Sequence, residues 1–344
     1  MVNIGDYGVN AKSKREVYML ISVIIPVYNA ETTIRKCLQS ILDQSFKDVE
    51  VVLVNDGSED GTLSILALYD HVSNLKVINQ INLGEGGARN TGLLHCSGEY
   101  VLFLDSDDCL HEGFLDYVQQ FILDKKPDLV FSSYTKSDHR STERRYKFRY
   151  EFFTNDDLVK NYYRRTINIG IGNTLFKKSI IDERNLSFSD AKSGADNEFF
   201  RILALYCESS YSLPFFSFEY FVHPDSLMNK SFNLSRLDSI KTVLKTREFL
   251  KKNDQHPNYQ DFQDYLDIFL ISEVRGCYLS NLFSEFPDKK LYPKLLDLLP
   301  NKINLKVFFS HRRLFWLLYN LLFYTSPNSI KNLHLLTNKL KRRQ

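Results

Sequence analysis

The residues best suited to chemistry are three aspartates that directly follow an apolar run. The run is Tyr100 to Leu104, and Asp105, Asp107 and Asp108 come after it. A short apolar run of this kind is typical of a strand buried on both faces of a parallel sheet, whose C-terminal edge is where ligands bind. Asp105 and Asp107 are two residues apart on an extended chain, so together they can approach one divalent cation. The alternative is that Asp107 and Asp108 cap a helix beginning near His111.

An aromatic and polar group follows an earlier apolar run, at residues 22–28. Pro26, Tyr28, Asn29 and Glu31 offer an aromatic face and polar atoms suited to a base and a ribose. The alternative is that Tyr28 is a core aromatic and Asn29 a helix N-cap.

Two further strand ends carry polar residues. The run 48–55 leads into Asp56, whose carboxylate can accept a hydrogen bond from N3–H of uracil or thymine, whereas cytosine has no hydrogen there. An ordinary Asp-Gly turn is the alternative at this position. A glycine-rich turn at 84–87 precedes Arg89 and a predicted helix N-terminus, which together suit a diphosphate.

The order of strands and helices predicts the frame that positions these groups. Apolar runs alternate with helical spacing along the first half of the chain, which predicts an α/β fold with a mostly parallel sheet and right-handed crossovers. Helical patterns dominate from about residue 234, so we place a domain boundary near 230. The predicted organisation is a polar leader at 1–19, a catalytic domain at 20–230 and a helical region at 231–344, with a basic part from 301.

Composition narrows the class of protein. The chain has 344 residues, of which 43% are hydrophobic and 14% aromatic, enough for a sizeable packed core. Its five cysteines are scattered and odd in number, which favours a reducing cytoplasm over disulfides or structural zinc. Residues 1–19 lack the apolar segment of a signal peptide, and no run approaches the roughly 18 apolar residues of a membrane span.

Residues 301–344 differ from the rest of the chain. They carry nine Lys and Arg and no Asp or Glu, although the net charge of the whole is only +2. The apolar, aromatic run 313–324 is too short to cross a bilayer, but with its basic flanks it fits a helix lying on an anionic inner leaflet. A buried bundle helix or a contact with a second copy of the chain is the alternative. Nucleic acid is not expected, because the basic residues alternate with leucines rather than forming a stripe.

Four motifs, taken in order, carry a family resemblance. They are SVIIPVYNAE, VVLVNDGSEDGT, NLGEGGARNTG and FLDSDD. Together they resemble the family 2 glycosyltransferases, which have the GT-A fold, and the resemblance covers residues 21 to about 225. It implies inverting transfer of a sugar from a nucleotide diphosphate donor, usually a UDP-sugar, with Mg²⁺ or Mn²⁺ on the diphosphate. By this resemblance the donor site takes in Pro26, Tyr28, Glu31, Asp56, Arg89, Asp105 and Ser106, and the metal ligand is Asp107.

The same resemblance implies a base in the segment SGADNEFF. We assign it to Asp196, although Ala195 stands where the family usually has a first acid, which leaves Glu198 as a competitor. Ser193 and Asp196 also have the spacing of a capping box, a role in the fold alone. His223 follows at a place where relatives commonly have a residue near the phosphates, which makes it a candidate contact for the metal or a phosphate. The alternative is a surface or structural histidine.

These features predict a cytoplasmic enzyme, at most peripheral on the inner membrane face, that adds one sugar to a surface glycan, glycolipid or glycoprotein. Processive synthases of the broad family have membrane spans and a QxxRW motif, and this chain has neither. Two other classes stay open. A sugar nucleotidyltransferase shares a related architecture, and Ala195 raises the alternative of a non-catalytic sugar-nucleotide-binding module.

Overall fold

One mixed sheet, with helices on both faces, forms the frame of the protein in a computed structural model of the chain. The structure describes residues 20–46, 48–137, 142–145, 148–222, 236–253, 259–282, 288–300 and Phe323.

The first half of the sheet is parallel, in the order β3-β2-β1-β4. Its strands are β1 (Ile21–Val27), β2 (Val49–Asp56), β3 (Leu75–Gln80) and β4 (Tyr100–Phe103). The connecting helices are α1 (Ile34–Leu42), the short α2 (Thr62–Leu66) and α3 (Gly84–His95). The C-terminal ends of these four strands therefore meet at one edge, as the alternation of elements predicts.

The second half of the sheet is mixed and continues in the order β4-β9-β6-β10-β5. Its strands are β5 (Cys109–Leu110), β6 (Leu129–Ser137), β7 (Thr142–Arg145), β8 (Glu151–Thr154), β9 (Thr174–Lys177) and β10 (Ser209–Phe221). Its helices are α4 (Phe114–Lys125), α5 (Asn155–Tyr163), α6 (Lys178–Arg184) and α7 (Ala195–Ala204). Strand β9 runs antiparallel to both β4 and β6, whereas β10 is parallel to β6. The predicted α/β class is confirmed, but the sheet is mixed rather than mostly parallel, because the parallel pairings lie mainly in its first half.

Strand β1 shows why the apolar runs read as buried on both faces. Val23 and Ile25 belong to one hydrophobic core and Ile24 to the other, on the opposite face of the sheet. Alternate side chains of a strand point to opposite faces, so a strand covered by helices on both sides is apolar at every position.

Helix α3 begins earlier than predicted. Residues 84–87 form its first turn rather than a loop before it. Gly86 explains the difference, because a Cβ there would lie 2.8 Å from the carbonyl oxygen of Ser189. The glycines thus allow helix α3 to pack closely against another segment, and the tertiary contact overrides the poor helix propensity of glycine.

Three C-terminal helices follow: α8 (Arg236–Lys252), α9 (Tyr259–Leu282) and α10 (Leu291–Leu296). Helix α8 packs against α7, helix α9 packs against α5 and α8, and α10 packs against α9. Residues of α8 and α9 share one hydrophobic core with Phe199 and Phe200 of α7. The predicted boundary near 230 lies outside the described residues, as do the leader 1–19 and all of 301–344 except Phe323. Within the described ranges, no helix is both long and apolar enough to cross a membrane. All five cysteines are free and buried.

Candidate active site

The loops after β1 and β2 are joined by hydrogen bonds to backbone amides. The amide of Asn29 donates to Ser58 Oγ (3.0 Å), and the amide of Gly61 donates to Glu31 Oε2 (2.7 Å). Asn29 has a φ of 49° and does not cap α1, whose N-cap is Thr33. Glu31 therefore holds the second loop against the first, and both loops border the edge where the parallel strands end.

Tyr28 and Pro26, the predicted base contacts, lie in different environments. The Tyr28 side chain is 49% exposed at the end of β1, so its ring is not the core aromatic of the alternative interpretation. Pro26 is buried within β1 beside Val54 of β2. Tyr28 is accordingly the one of this pair that a ligand in solution can reach.

Asp56 ends β2 as a buried, oriented carboxylate. Its Oδ1 accepts hydrogen bonds from Gln80 Nε2 (2.6 Å) and from the amide of Leu83 (2.8 Å). The hydrogen bonds found in the described chain thus fall on one oxygen of this carboxylate. Gly57, with a φ of 72°, makes the turn that follows. The side chain is held through Oδ1 by Gln80 of β3 and by the amide of Leu83.

The three aspartates after β4 have different surroundings. Asp105 is partly exposed and its Oδ1 accepts a hydrogen bond from Arg89 Nη2 (2.8 Å). Asp108 is buried, and its Oδ1 accepts from the amide of Phe221 (3.1 Å). Burial, followed by the charges of Asp105 and Asp107, raises the pKa of Asp108 well above its usual range. Neither Asp107 nor Asp108 caps a helix, because α4 begins at 114 with Gly113 as its N-cap.

Arg89 lies between the acidic run and helix α7. Its guanidinium is buried, is ion-paired with Glu85 and Asp105, and lies 5.4 Å above the ring of Phe188. Burial lowers the pKa of Arg89, but the charges of Asp105, Glu85 and Asp196 raise it by more. The net pKa is raised, so Arg89 stays positively charged. The predicted Arg89 therefore lies inside a cluster of acids, where it orients Asp105.

Asp196 lies in the first turn of α7 and is partly exposed. The helix is preceded by Gly194, with a φ of 82° and no side-chain cap, so Ser193 and Asp196 do not form the capping box of the alternative interpretation. Its competitor Glu198 is buried and accepts a hydrogen bond from Ser189 Oγ (2.6 Å). Of the two acids, Asp196 is the more accessible.

A stack of aromatic rings, which the sequence did not indicate, brings α7 to the acidic run. Phe188 and Phe199 are stacked with ring centroids 4.1 Å apart, and Phe103 at the end of β4 meets both edge-on. Asn90 fixes Phe188 with two hydrogen bonds, donating to its carbonyl (2.9 Å) and accepting from its amide (2.8 Å). Asn90 directly follows Arg89 in the third motif. Its place in that motif was the sequence feature that could have indicated a structural role for Asn90.

The carboxylates after β4 are of a kind that can bind a divalent cation together with the phosphates of a substrate. Among the described residues no group of three metal-ligating side chains is preassembled. Asp107 is partly exposed beside Asp105, whose charge Arg89 already balances, and His223 lies outside the described residues. Mg²⁺ in such sites is typically held by one or two carboxylates together with substrate phosphates and water. Burial is the largest cause of the raised pKa of Asp108, and a cation beside the run would offset the smaller part that comes from the charges of Asp105 and Asp107.

The sheet order, the carboxylate that ends β2 and the acids after β4 are the features expected of the GT-A fold. The model of the family described as Glycosyl transferase family 2 matches residues 22–184. EpsH of Bacillus subtilis (strain 168), named as a glycosyltransferase, is 27% identical over 287 residues, 80% of each chain. Residues 22–184 therefore form a domain of the family 2 glycosyltransferases.

Two further similarities agree with this family. Poly(ribitol-phosphate) beta-N-acetylglucosaminyltransferase TarP of Staphylococcus aureus (strain N315) is 28% identical over 206 residues, 59% of this chain and 62% of TarP. The crystal structure of S. aureus TarS 1-349 in complex with UDP-GlcNAc matches with a TM-score of 0.66 over 95% of this chain and 93% of that one. At 19% identity the TarS likeness establishes the fold alone.

Proposed function

We propose that this enzyme is an inverting, metal-dependent transferase that moves one sugar from a UDP-sugar to a hydroxyl of a glycan acceptor. The observation that carries the proposal is the surroundings of Arg89. This one guanidinium binds Asp105 directly and interacts electrostatically with Asp196, although the first acid lies in the turn after β4 and the second in α7. The acidic run proposed to bind the sugar donor and the separate acid proposed to act on the acceptor hydroxyl therefore lie around the same arginine.

Asp56 supports a uracil-containing donor. Gln80 and the amide of Leu83 hold its Oδ1, so Oδ2 can accept the N3–H of uracil at the end of β2. Tyr28, exposed at the end of the adjacent β1, offers its ring to the base or ribose. The loop joined by Glu31 to Gly61 borders the same place.

Asp107 is the proposed ligand of Mn²⁺ or Mg²⁺, with His223 as a second candidate. A bound divalent cation would stabilise the negative charge that develops on the leaving UDP. Asp105 and Ser106 line the same turn, and the ion pair with Arg89 keeps Asp105 in a fixed orientation. Asp108, turned towards the amide of Phe221, supports the turn from behind.

Asp196 is the proposed general base. An inverting displacement needs the acceptor hydroxyl to lose its proton on the side opposite the leaving group, so the base must be separate from the metal ligands. Asp196 is partly exposed at the start of α7, whereas Glu198 is buried and accepts from Ser189. Because position 195 is an alanine and Glu198 is buried, Asp196 is the accessible acid of the segment.

The proposed acceptor is a surface glycan, glycolipid or glycoprotein, and the proposed site of action is the cytoplasmic face of the membrane. The names of TarP and TarS make UDP-GlcNAc the first donor to test, ahead of UDP-glucose, UDP-galactose and UDP-GalNAc. Five free, buried cysteines are compatible with a reducing compartment. The basic segment 301–344 is the proposed contact with anionic lipid or with a second copy of the chain.

The test measures UDP release from these four donors with Mn²⁺ and after chelation with EDTA. We expect release with one donor, its loss on chelation, and a fall of roughly a thousandfold in Asp107→Asn, because a Lewis acid contributes several kcal/mol to the transition state. Asp108→Asn is the matched control. Its amide retains an acceptor for Phe221 N–H, and the side chain is buried behind the turn, so activity should persist. UDP binding without release from any donor would overturn the proposal.

A further inference from the structure

The loop before α7 rests against helix α8 of the C-terminal region. Gly194 has a φ of 82°, and a Cβ there would lie 3.1 Å from Thr242 Oγ1 and 3.2 Å from Ser239 Cα. The amide of Lys192 donates a hydrogen bond to Asp238 Oδ2 (3.2 Å). The backbone of the loop therefore packs closely on α8. A side chain at position 194 would crowd Thr242 and Ser239.

Arg201 makes a second contact with the same face of α8. It is 2% exposed, and its Nη2 and Nε donate hydrogen bonds to Thr242 Oγ1 (3.1 Å) and Thr246 Oγ1 (3.2 Å). Its guanidinium also lies 5.2 Å above the ring of Phe269 on α9. Among the described residues Arg201 has no carboxylate at salt-bridge distance, so the two threonines are its directed partners.

The threonine hydroxyls are oriented to accept from Arg201. Thr242 Oγ1 donates its hydrogen to the carbonyl of Ser239 (2.8 Å), and Thr246 Oγ1 donates to the carbonyl of Thr242 (2.9 Å). A hydroxyl has one hydrogen and two lone pairs, so with the hydrogen used inside α8 the lone pairs face the guanidinium. This arrangement requires threonine or serine rather than a residue that is only of similar shape.

Thr242 is the residue shared by both contacts. It lies beside Gly194, two residues before Asp196, where an added Cβ would be 3.1 Å from its Oγ1, and it binds Arg201, five residues after Asp196. We propose that Thr242, through Gly194 and Arg201, positions the turn of α7 that carries Asp196, so that the C-terminal helices set the placement of the base. The inference rests on the proposed function of Asp196. It assigns to Thr242 a positioning role and no contact with substrate.

The experiment compares Thr242→Val, Thr242→Ser and Thr246→Val in the full chain. Valine keeps the volume and removes the hydroxyl, and serine restores it. We expect Thr242→Val to lower kcat about tenfold, since small displacements of a catalytic group are costly, while the Kd for UDP changes by less than about twofold. Thr242→Ser should recover most of kcat. Thr246→Val also loses one bond to Arg201 but does not touch Gly194, so it should lower Tm similarly and kcat much less.

Hydrogen exchange of the amides of residues 192–198 supplies a readout that does not need activity. Faster exchange in Thr242→Val than in Thr246→Val, together with the kcat pattern, would support the proposal. Unchanged exchange in Thr242→Val, or equal losses of kcat in the two valine variants at equal Tm, would overturn it. If the unsubstituted enzyme releases no UDP, the proposed function fails instead, and the exchange comparison still decides whether Thr242 holds this turn.

Discussion

The donor loops and the turn that carries Asp196 are held in place by different kinds of contact. The loops after β1 and β2 are joined by exposed polar bonds from backbone amides to side chains, such as the bond from the amide of Gly61 to Glu31. The start of α7 is held by the stacked rings of Phe188 and Phe199, and by Arg201 bound to Thr242 of α8. One half is an exposed polar network at strand ends, and the other is buried packing between distant elements.

This difference separates the consequences of mutation. An oriented carboxylate such as Asp56 acts on what the site recognises, because its neighbours hold it on one oxygen and leave the other for a ligand. A buried contact behind α7 acts on where Asp196 lies without touching the donor. We therefore expect changes in the first region to alter donor affinity and changes in the second to alter the rate of transfer.

Asp56→Asn is the larger perturbation and falls in the donor region. The asparagine oxygen can keep the bonds from Gln80 and Leu83, while an NH₂ group replaces Oδ2. We expect UDP to bind roughly thirtyfold more weakly, since a hydrogen bond to a charged group contributes about 1.5–3 kcal/mol. CDP should bind as well as before or better, because the amide can donate to N3 of cytosine. Calorimetric titration with both nucleotides measures the change.

Glu59→Gln is the control for Asp56→Asn, because it removes one negative charge from an exposed position in the same loop. It should leave the UDP to CDP preference unchanged. An Asp56→Asn enzyme with the same preference as the unsubstituted enzyme would contradict recognition of the base by this carboxylate.

Asp267→Asn is a smaller perturbation, in the helices behind α7. Burial raises the pKa of Asp267 from 3.8 to about 6, although Arg247 lowers it. A folded-state pKa above the unfolded value means that the folded chain binds the proton more tightly, so this group costs stability increasingly as pH rises from about 4 to about 6. The advantage of Asn over Asp in the free energy of unfolding should therefore grow by about 1 kcal/mol from pH 5 to pH 8.

Urea unfolding at the two pH values tests this change. Asp261→Asn, exposed on the same helix, is the control and should show no such growth. A pH-independent difference between Asp267→Asn and the unsubstituted chain would show that burial of this carboxyl does not weaken the helical support.

The same contrast explains what the sequence could predict. The strands β1, β2 and β4 and the acids at their ends followed from local apolar runs and from residues adjacent to them. The first turn of α3 was predicted as a loop because glycine is a poor helix former, and only its approach to Ser189 explains the helix.

The support of the base lay beyond local reasoning. No local pattern singles out the stacked pair Phe188 and Phe199, and the bond between Arg201 and Thr242 joins positions 41 residues apart. The short strands β5, β7 and β8 and helix α6 were also not predicted, because their pairing depends on long-range contacts rather than on pattern. Local sequence patterns were enough to identify the candidate site residues, whereas the contacts that bring them together depend on residues far apart in the sequence.

The most direct test of the account is the rate of sugar transfer by Asp196→Asn, measured beside its Kd for UDP. We predict that kcat falls by at least about a hundredfold, because proton removal is lost, while the Kd for UDP changes by less than about twofold. Glu198→Gln, in which Ser189 keeps an acceptor, should retain most of the activity. A near-normal rate in Asp196→Asn, or a loss only in Glu198→Gln, would contradict the assignment of Asp196 as the base.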